Sequence, residues 1–184
     1  MRKNLGSKTY IYPQPVLIIG TYDENGKANA MNAAWGGIAD DDQVMVCLGS
    51  HRTTDNIAKT NAFTVGIPVV ENTVAADYVG IVSGRKEPDK IAKAGWTETK
   101  AEFVNAPVFN EIPLCLECEL VKIVDDDKYI GRIVNVSVDE AYLAEDGLID
   151  LNKFVPITYD PIRHNYIALG RIVGKAFSDG KKIK

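Results

Sequence analysis

Residues 44–57, VMVCLGSHRTTDNI, decide how this chain is read. Val44, Met45, Val46, Cys47 and Leu48 form an apolar run too short for a helix of its own, so it reads as a strand. The run breaks at Gly49-Ser50, and His51-Arg52-Thr53-Thr54 leads into a helical stretch over residues 55–60. A glycine at a strand end lets backbone approach a ligand closely. A helix start offers free N–H groups and the positive end of its dipole. With one arginine and several hydroxyls beside it, the stretch is a candidate phosphate site. The same letters also spell an ordinary strand-to-helix turn capped by Thr53 or Thr54. The flanking sequence has to choose between the two.

Upstream, residues 16–22 read as a buried strand and Asp23-Glu24-Asn25-Gly26 as a hairpin turn, since Asn-Gly supplies the positive φ such turns need. Residues 27–35 form the return strand, which ends at Gly36-Gly37, and Asp40-Asp41-Asp42 is an acidic surface turn. Before all of this, residues 1–15, with Pro13 and Pro15, form an extended lead-in. Downstream, residues 62–69 are a fourth strand with Pro68 near its end. Asn72 caps a helix running through Val82, with Val74, Ala75, Tyr78, Val79 and Val82 as its apolar stripe. Ser83-Gly84-Arg85-Lys86 ends that helix, and Pro88 sits in the first turn of a short one that stops at Gly95. Residues 96–107 read as loop with some extended character. Residues 114–124 and 129–141 are two long strands joined by a hairpin at Asp125-Asp126-Asp127-Lys128. Residues 154–159 and 165–169 are short strands on either side of a turn around Pro161. No repeat or linker interrupts the 184 residues, so residues 1–184 are expected to fold as one domain. Closely spaced strands, hairpin joins and a few short helices point to a mainly β fold with inserted helices, an antiparallel barrel.

The net charge of −4 argues against nonspecific nucleic-acid binding and against a basic membrane-surface protein. No apolar run is long enough to span a bilayer, and no apolar segment follows the N-terminal charges as a secretory signal would require. Three cysteines do not make a disulfide framework, and a reducing cytoplasm is the expected setting. Cys115 and Cys118 form a C-x-x-C, but strand alternation puts their sulfurs on opposite faces, and no second pair completes a metal site. Cys47 adjoins the candidate site. His51 and His164 have no Ser or Cys on a nucleophile elbow to serve, and no catalytic side chain or metal ligand is assigned. Neither a G-x-G-x-x-G nor a P-loop is present; Gly170 to Ala176 has the wrong glycine spacing. A redox cofactor, if one binds, would have to be held by the barrel itself.

Four segments in order carry a resemblance. They are Asn29-Ala30-Met31-Asn32-Ala33-Ala34-Trp35-Gly36-Gly37, Leu48-Gly49-Ser50-His51-Arg52-Thr53-Thr54-Asp55-Asn56-Ile57, Phe63-Thr64-Val65-Gly66-Ile67-Pro68, and Ser83-Gly84-Arg85-Lys86 with Asp89-Lys90. With the Pro156, Tyr159 and Tyr166 region, they resemble the flavin reductase-like proteins with an FMN-binding split barrel, in particular the flavoredoxin-type branch. The chain departs from that pattern at Gly66, where Asn is frequent, and at Ala34, where many members carry a hydroxyl. The resemblance implies an antiparallel split β-barrel, a homodimer and FMN as cofactor. It also implies that Asn32, Ala33, Ala34 and Trp35 lie beside the flavin ring, Leu48, Gly49, Ser50, His51, Arg52, Thr53 and Thr54 toward its phosphate, with Ser83, Gly84, Lys86 and Tyr166 completing the site. Trp35 is open to a second reading as core. The activity implied is an oxidoreductase in which NADH or NADPH passes hydride to flavin N5 and an acceptor takes the electrons. The alternative is an electron carrier reduced by a redox partner protein without NAD(P)H oxidation of its own. The protein would act in orientation and electrostatics, the cofactor in the chemistry.

Overall fold

The computed structural model describes residues 1–183. In chain order its elements are β1 (Gln14–Pro15), β2 (Leu17–Tyr22), β3 (Ala28–Ala33), β4 (Gly36–Asp40), β5 (Gln43–Cys47), α1 (Arg52–Thr60), β6 (Ala62–Ile67), α2 (Thr73–Ile81), α3 (Lys90–Lys93), β7 (Glu98–Lys100), β8 (Pro107–Phe109), β9 (Leu114–Val124), β10 (Lys128–Val138), β11 (Ile157–Tyr159) and β12 (Tyr166–Ala168). Seven strands form one antiparallel sheet in the order β3-β2-β6-β9-β10-β5-β4. A small sheet, β1-β11-β12, and a pair, β7-β8, flank it.

The connection from β3 to β4 explains the shape. These strands occupy opposite edges of the sheet, yet only Ala34 and Trp35 separate them in the chain. A flat seven-stranded sheet would hold its edges about 29 Å apart at ~4.8 Å per strand. Three peptide units reach at most ~11 Å. The sheet therefore curls until its edges meet at the Ala34-Trp35 end, and no ladder joins β3 to β4 among the described residues. The result is a barrel that stays split along one side. The Cys47 amide pins the crossing by donating to the Trp35 carbonyl at 2.7 Å.

The period-2 alternation of β2 sorts the two cores. Leu17 and Ile19 point into the curl with Val46, Leu48, Phe63, Val65, Cys118 and Tyr129. Val16 and Ile18 point the other way, against Ala76 and Val79 of α2, Trp96, Phe109 and Ile157. Cys118 lies in the first core, whereas Cys115 is buried outside it, so the two sulfurs do not meet.

Several boundaries differ from the sequence expectation. The glycine pair at 36–37 opens β4 instead of closing a strand, because Gly36 and Gly37 pair with Val46 and Met45. The 62–69 strand stops at Ile67, where Pro68 has no amide to donate. The short helix begins at Lys90, not Pro88, with Asp89 at its cap. The helix after Asn72 ends at Ile81, and it buries Ala76 and Val79 while Val74 is exposed. Within residues 96–107, Glu98 to Lys100 pair antiparallel with Pro107 to Phe109.

Candidate functional site

Helix α1 starts at Arg52, three residues before the expected start, and the extended His51 is its N-cap. The correction has a local cause. The Thr54 hydroxyl, one turn in, accepts from the His51 amide at 3.0 Å and donates to the His51 carbonyl at 2.8 Å. The cap interaction thus comes from within the helix, and the two threonines belong to its first turn. The amides of Arg52 and Thr53 have no partner inside the helix. Thr53 is buried and its hydroxyl accepts from Asn29 Nδ2 at 2.8 Å, which ties the helix start to β3.

Arg52 is half-exposed and pairs with Asp23 of the β2–β3 hairpin at 2.7 Å. The Asp23 carboxyl is held below its ordinary range chiefly by the Lys27 amide, at 2.9 Å, with the Asn25 amide and the Arg52 guanidinium adding to it. The hairpin turn thus presents a fixed carboxylate that orients the guanidinium over the helix start.

The opposite wall comes from the end of α2. Gly80 lies so close to β3 that an added Cβ would sit 2.9 Å from Asn32 Cβ. Gly84 is packed just as closely against the Asn29 side chain. Between these walls runs a cleft of about 150 Å³ bounded by Met31, Arg52, Thr53, Ser83, Gly84 and Lys90. Lys90 is 3% exposed and reaches back to cap α2, donating to the carbonyls of Val79 at 3.2 Å and Val82 at 2.9 Å. The negative end of the helix dipole favours a cation there. Burial nevertheless brings its pKa down from 10.5 to about 8. Two cations, one buried, therefore converge on a cleft that also holds a helix N-terminus.

Gly80 and Ile81 also line a second cleft of about 200 Å³, with Asn32, Ala34, Asp77, Tyr159 and Tyr166. Tyr166 donates to Asp77 at 2.8 Å and accepts from Asn32 Nδ2 at 3.3 Å. Burial first, and then the bond to Asp77, push the Tyr166 hydroxyl up to about 12, so it remains a proton donor at any ordinary pH. Tyr159 shares a 2.5 Å hydrogen bond with Nδ1 of His164. One trough thus follows β3 from a cationic end at Arg52 to a phenolic end at Tyr166.

Of the expected residues, Arg52, Thr53, Ser83 and Gly84 share the cationic cleft, and Asn32, Ala34 and Tyr166 share the phenolic one. His51 lines the cationic cleft only at its exposed cap position. Thr54 is buried by its cap contact, and Ala33 and Leu48 point into the barrel core, leaving only their backbone for a ligand. Gly49 and Ser50 are exposed at the strand end. Trp35 is 56% exposed, which removes the core reading for it, and it lines neither cleft. Lys86 is exposed on the turn and lines neither cleft; its amide closes the turn onto the Ser83 carbonyl at 3.0 Å. Asn29 and Lys90 complete the cleft and Asp23 holds Arg52 beside it; the sequence reading assigns none of the three. The signal for Lys90 was present, since Asp89-Lys90 closes the fourth resembling segment. Its burial depends on α3 folding back under α2, which no local pattern reveals.

A family model described as the flavin reductase like domain matches residues 9–160. The flavoredoxin of Desulfovibrio vulgaris (Miyazaki F) superposes with a TM-score of 0.94 at 40% identity, covering 98% of this chain and 100% of that one. The flavoredoxin from Methanosarcina acetivorans superposes with a TM-score of 0.90 at 27% identity, covering all of both chains. An uncharacterised protein of Archaeoglobus fulgidus is 32% identical over 153 residues, 79% of this chain and 84% of its own length.

Proposed function

Because the chain belongs to the flavin reductase-like family, we propose that it is an FMN-dependent oxidoreductase of the cytoplasm. In this reading the trough along β3 holds the flavin, with its phosphate at the start of α1. One observation carries the proposal: Arg52, the α1 N-terminus, Ser83-Gly84 and buried Lys90 converge on one cleft that shares Gly80 and Ile81 with a second one by Ala34.

The donor set fits the group. A phosphate monoester needs several N–H donors and positive charge, and the cationic cleft supplies both. Arg52 offers its guanidinium, pre-oriented by Asp23. Thr53 offers its amide and also its hydroxyl proton, because that hydroxyl only accepts from Asn29. Lys90 offers charge without solvent around it. At the other end, the backbone of residues 32–34 offers hydrogen bonds to the polar edge of a ring, and the Tyr166 hydroxyl, its proton held by Asp77, fixes the wall beside it. FMN when bound supplies the hydride and single-electron chemistry. The chain holds it, orients it and keeps water from one face.

The reductant in this reading is NADH or NADPH, and the working unit is a homodimer. The test is anaerobic. The FMN-loaded protein should bleach on adding one of the two nicotinamides and recover its colour with an acceptor.

A second reading rests on a specific observation, the 40% identity to a flavoredoxin over nearly the whole chain. Here the protein is an electron carrier that takes electrons from a redox partner protein. It would stay oxidised with both nicotinamides and bleach only with that partner. No membrane-crossing helix is present among the described residues.

A further inference from the structure

Two phenols line the cleft beside Ala34, and they differ in what holds their protons. The Tyr166 hydroxyl donates to Asp77 at 2.8 Å, so its proton is committed to a carboxylate. The Tyr159 hydroxyl has Nδ1 of His164 as its partner, at 2.5 Å. Tyr159 is half-buried and lines the cleft, whereas His164 is exposed and lies outside it. A titratable ring open to water is thus linked to the cleft through one hydroxyl.

The turn between β11 and β12 fixes the pair. The His164 amide donates to the Asp160 carbonyl at 2.9 Å, and the Asp160 amide donates to the Asn165 carbonyl at 2.8 Å. His164 has left-handed backbone there, with φ 58°. The charged groups around the pair are few. Asp160 is occupied by the Tyr12 hydroxyl, the Ile162 amide and Asn165 Nδ2. Arg163 precedes the histidine, and Asp77 of α2 stands behind Tyr166. Strand β1 brings no charge, since Gln14 is the register partner of Tyr159.

Histidine is the side chain whose charge changes in the neutral range. Its charge decides which way this hydrogen bond runs. Neutral, Nδ1 accepts and keeps the tyrosine proton for itself. Protonated, Nδ1 donates to the tyrosine oxygen, and the Tyr159 proton is free for an acceptor in the cleft. We propose that Tyr159 and His164 form a proton-coupled pair that answers reduction of the cofactor. As negative charge builds on the ring, His164 takes one proton from water and Tyr159 turns its own O–H toward the ring. Tyr159 keeps its proton throughout. Two electrons and one proton, arriving as hydride from a nicotinamide or separately with a redox partner, bring one negative charge, and the proton on His164 offsets it. Tyr159 is the group that touches the cofactor; His164 is a positioning residue that acts through it. This role rests on the proposed flavin site.

The test is nuclear magnetic resonance of the FMN-saturated protein carrying ¹³C-labelled histidine, titrated with pH when oxidised and again after anaerobic reduction with dithionite. The chain has two histidines, and His164→Gln identifies the resonance by its loss. The His164 midpoint should rise on reduction by about one unit or more, a tenfold change in its ionisation constant. Tyr159→Phe should remove most of that rise, whereas plain attraction between charges would survive the loss of the hydroxyl. The pH dependence of the FMN reduction potential is the second readout. In the wild type it should steepen between the two midpoints, and His164→Gln should remove that step. Equal midpoints in the two redox states, a rise undiminished in Tyr159→Phe, or a potential profile unaltered in His164→Gln overturns the proposal. FMN that binds beside an unmoved His164 defeats the pair alone; FMN that binds nowhere defeats the flavin reading and the pair with it.

Discussion

Lys90 carries its charge into a place where burial works against it, and that makes the cleft sensitive to pH. Its folded pKa, about 8, lies below the ordinary 10.5. Below pH 8 the lysine is protonated folded or unfolded, and the cost of burying the charge is fully present. Between about 8 and 10.5 the unfolded chain binds a proton that the folded chain has released. The Lys90 contribution to stability therefore rises with pH across that window. Denaturant unfolding of the FMN-free protein should show the rise, and Lys90→Met should flatten it. Affinity for FMN should move the opposite way, falling from pH 7 to 9 in the wild type as the cation is lost. The phosphate is already dianionic there, with its second pKa near ~6, so it adds no slope. A pH-independent FMN isotherm would remove Lys90 from the site. Arg52→Ala should cost about 1.5–3 kcal/mol of FMN binding, a tenfold loss or more, by deleting a charged hydrogen-bonding group. Fluorescence titration reads it, and an unchanged dissociation constant would remove the phosphate from the start of α1. At this scale the sequence was partly legible. Arg52, Thr53, Ser83 and Gly84 could be named because their types suit a phosphate. Lys86 is named from sequence and Lys90 is not, because sequence carries no record of which lysine is buried; the place of α3, which brings Lys90 to the end of α2, decides it.

Helix α2 meets strand β3 through Gly80, and two effects compete there. Alanine in place of a helical glycine gains up to about 1 kcal/mol in propensity. The new Cβ would sit 2.9 Å from Asn32 Cβ, an atom close to the backbone that cannot swing aside. Overpacking of this kind costs about 1–3 kcal/mol. The clash should win, so Gly80→Ala should lower the melting temperature by a few degrees. It should also weaken FMN binding, because both ends of the trough lean on this contact. A stabilised variant with unchanged FMN affinity would show that α2 does not set the width of the trough. Elements with strong local signals were read well from sequence. The Asn25-Gly26 hairpin turn and the β9–β10 hairpin lie where their residues indicate, and Asn72 precedes its helix as expected, although its side chain bonds the Val69 amide and the Glu111 carbonyl and not the helix. The start of α1 was missed because its cap bond comes from Thr54, inside the helix, rather than from a side chain ahead of it. Strand β4 was missed because glycines and aspartates have low strand propensity. Pairing with β5 and the need to close the curl override it.

At the scale of the molecule, a two-residue connection between opposite sheet edges forces the curl, and the curl places residues 29–34 beside the start of α1. That geometry was not legible as spacing; it entered the sequence reading through the ordered set of resembling segments. The homodimer belongs here too. Sedimentation equilibrium should give twice the 20.2 kDa chain mass, and a single-chain mass with full FMN binding would discard it. The central claim is that the trough along β3 is a flavin site, and the most direct measurement is the visible spectrum of the purified protein titrated with FMN. The expected result is saturation at one FMN per chain, with absorption bands shifted from those of free FMN and its fluorescence changed. Spectra that remain those of free FMN at every ratio, with no flavin co-eluting with the protein, would contradict the account.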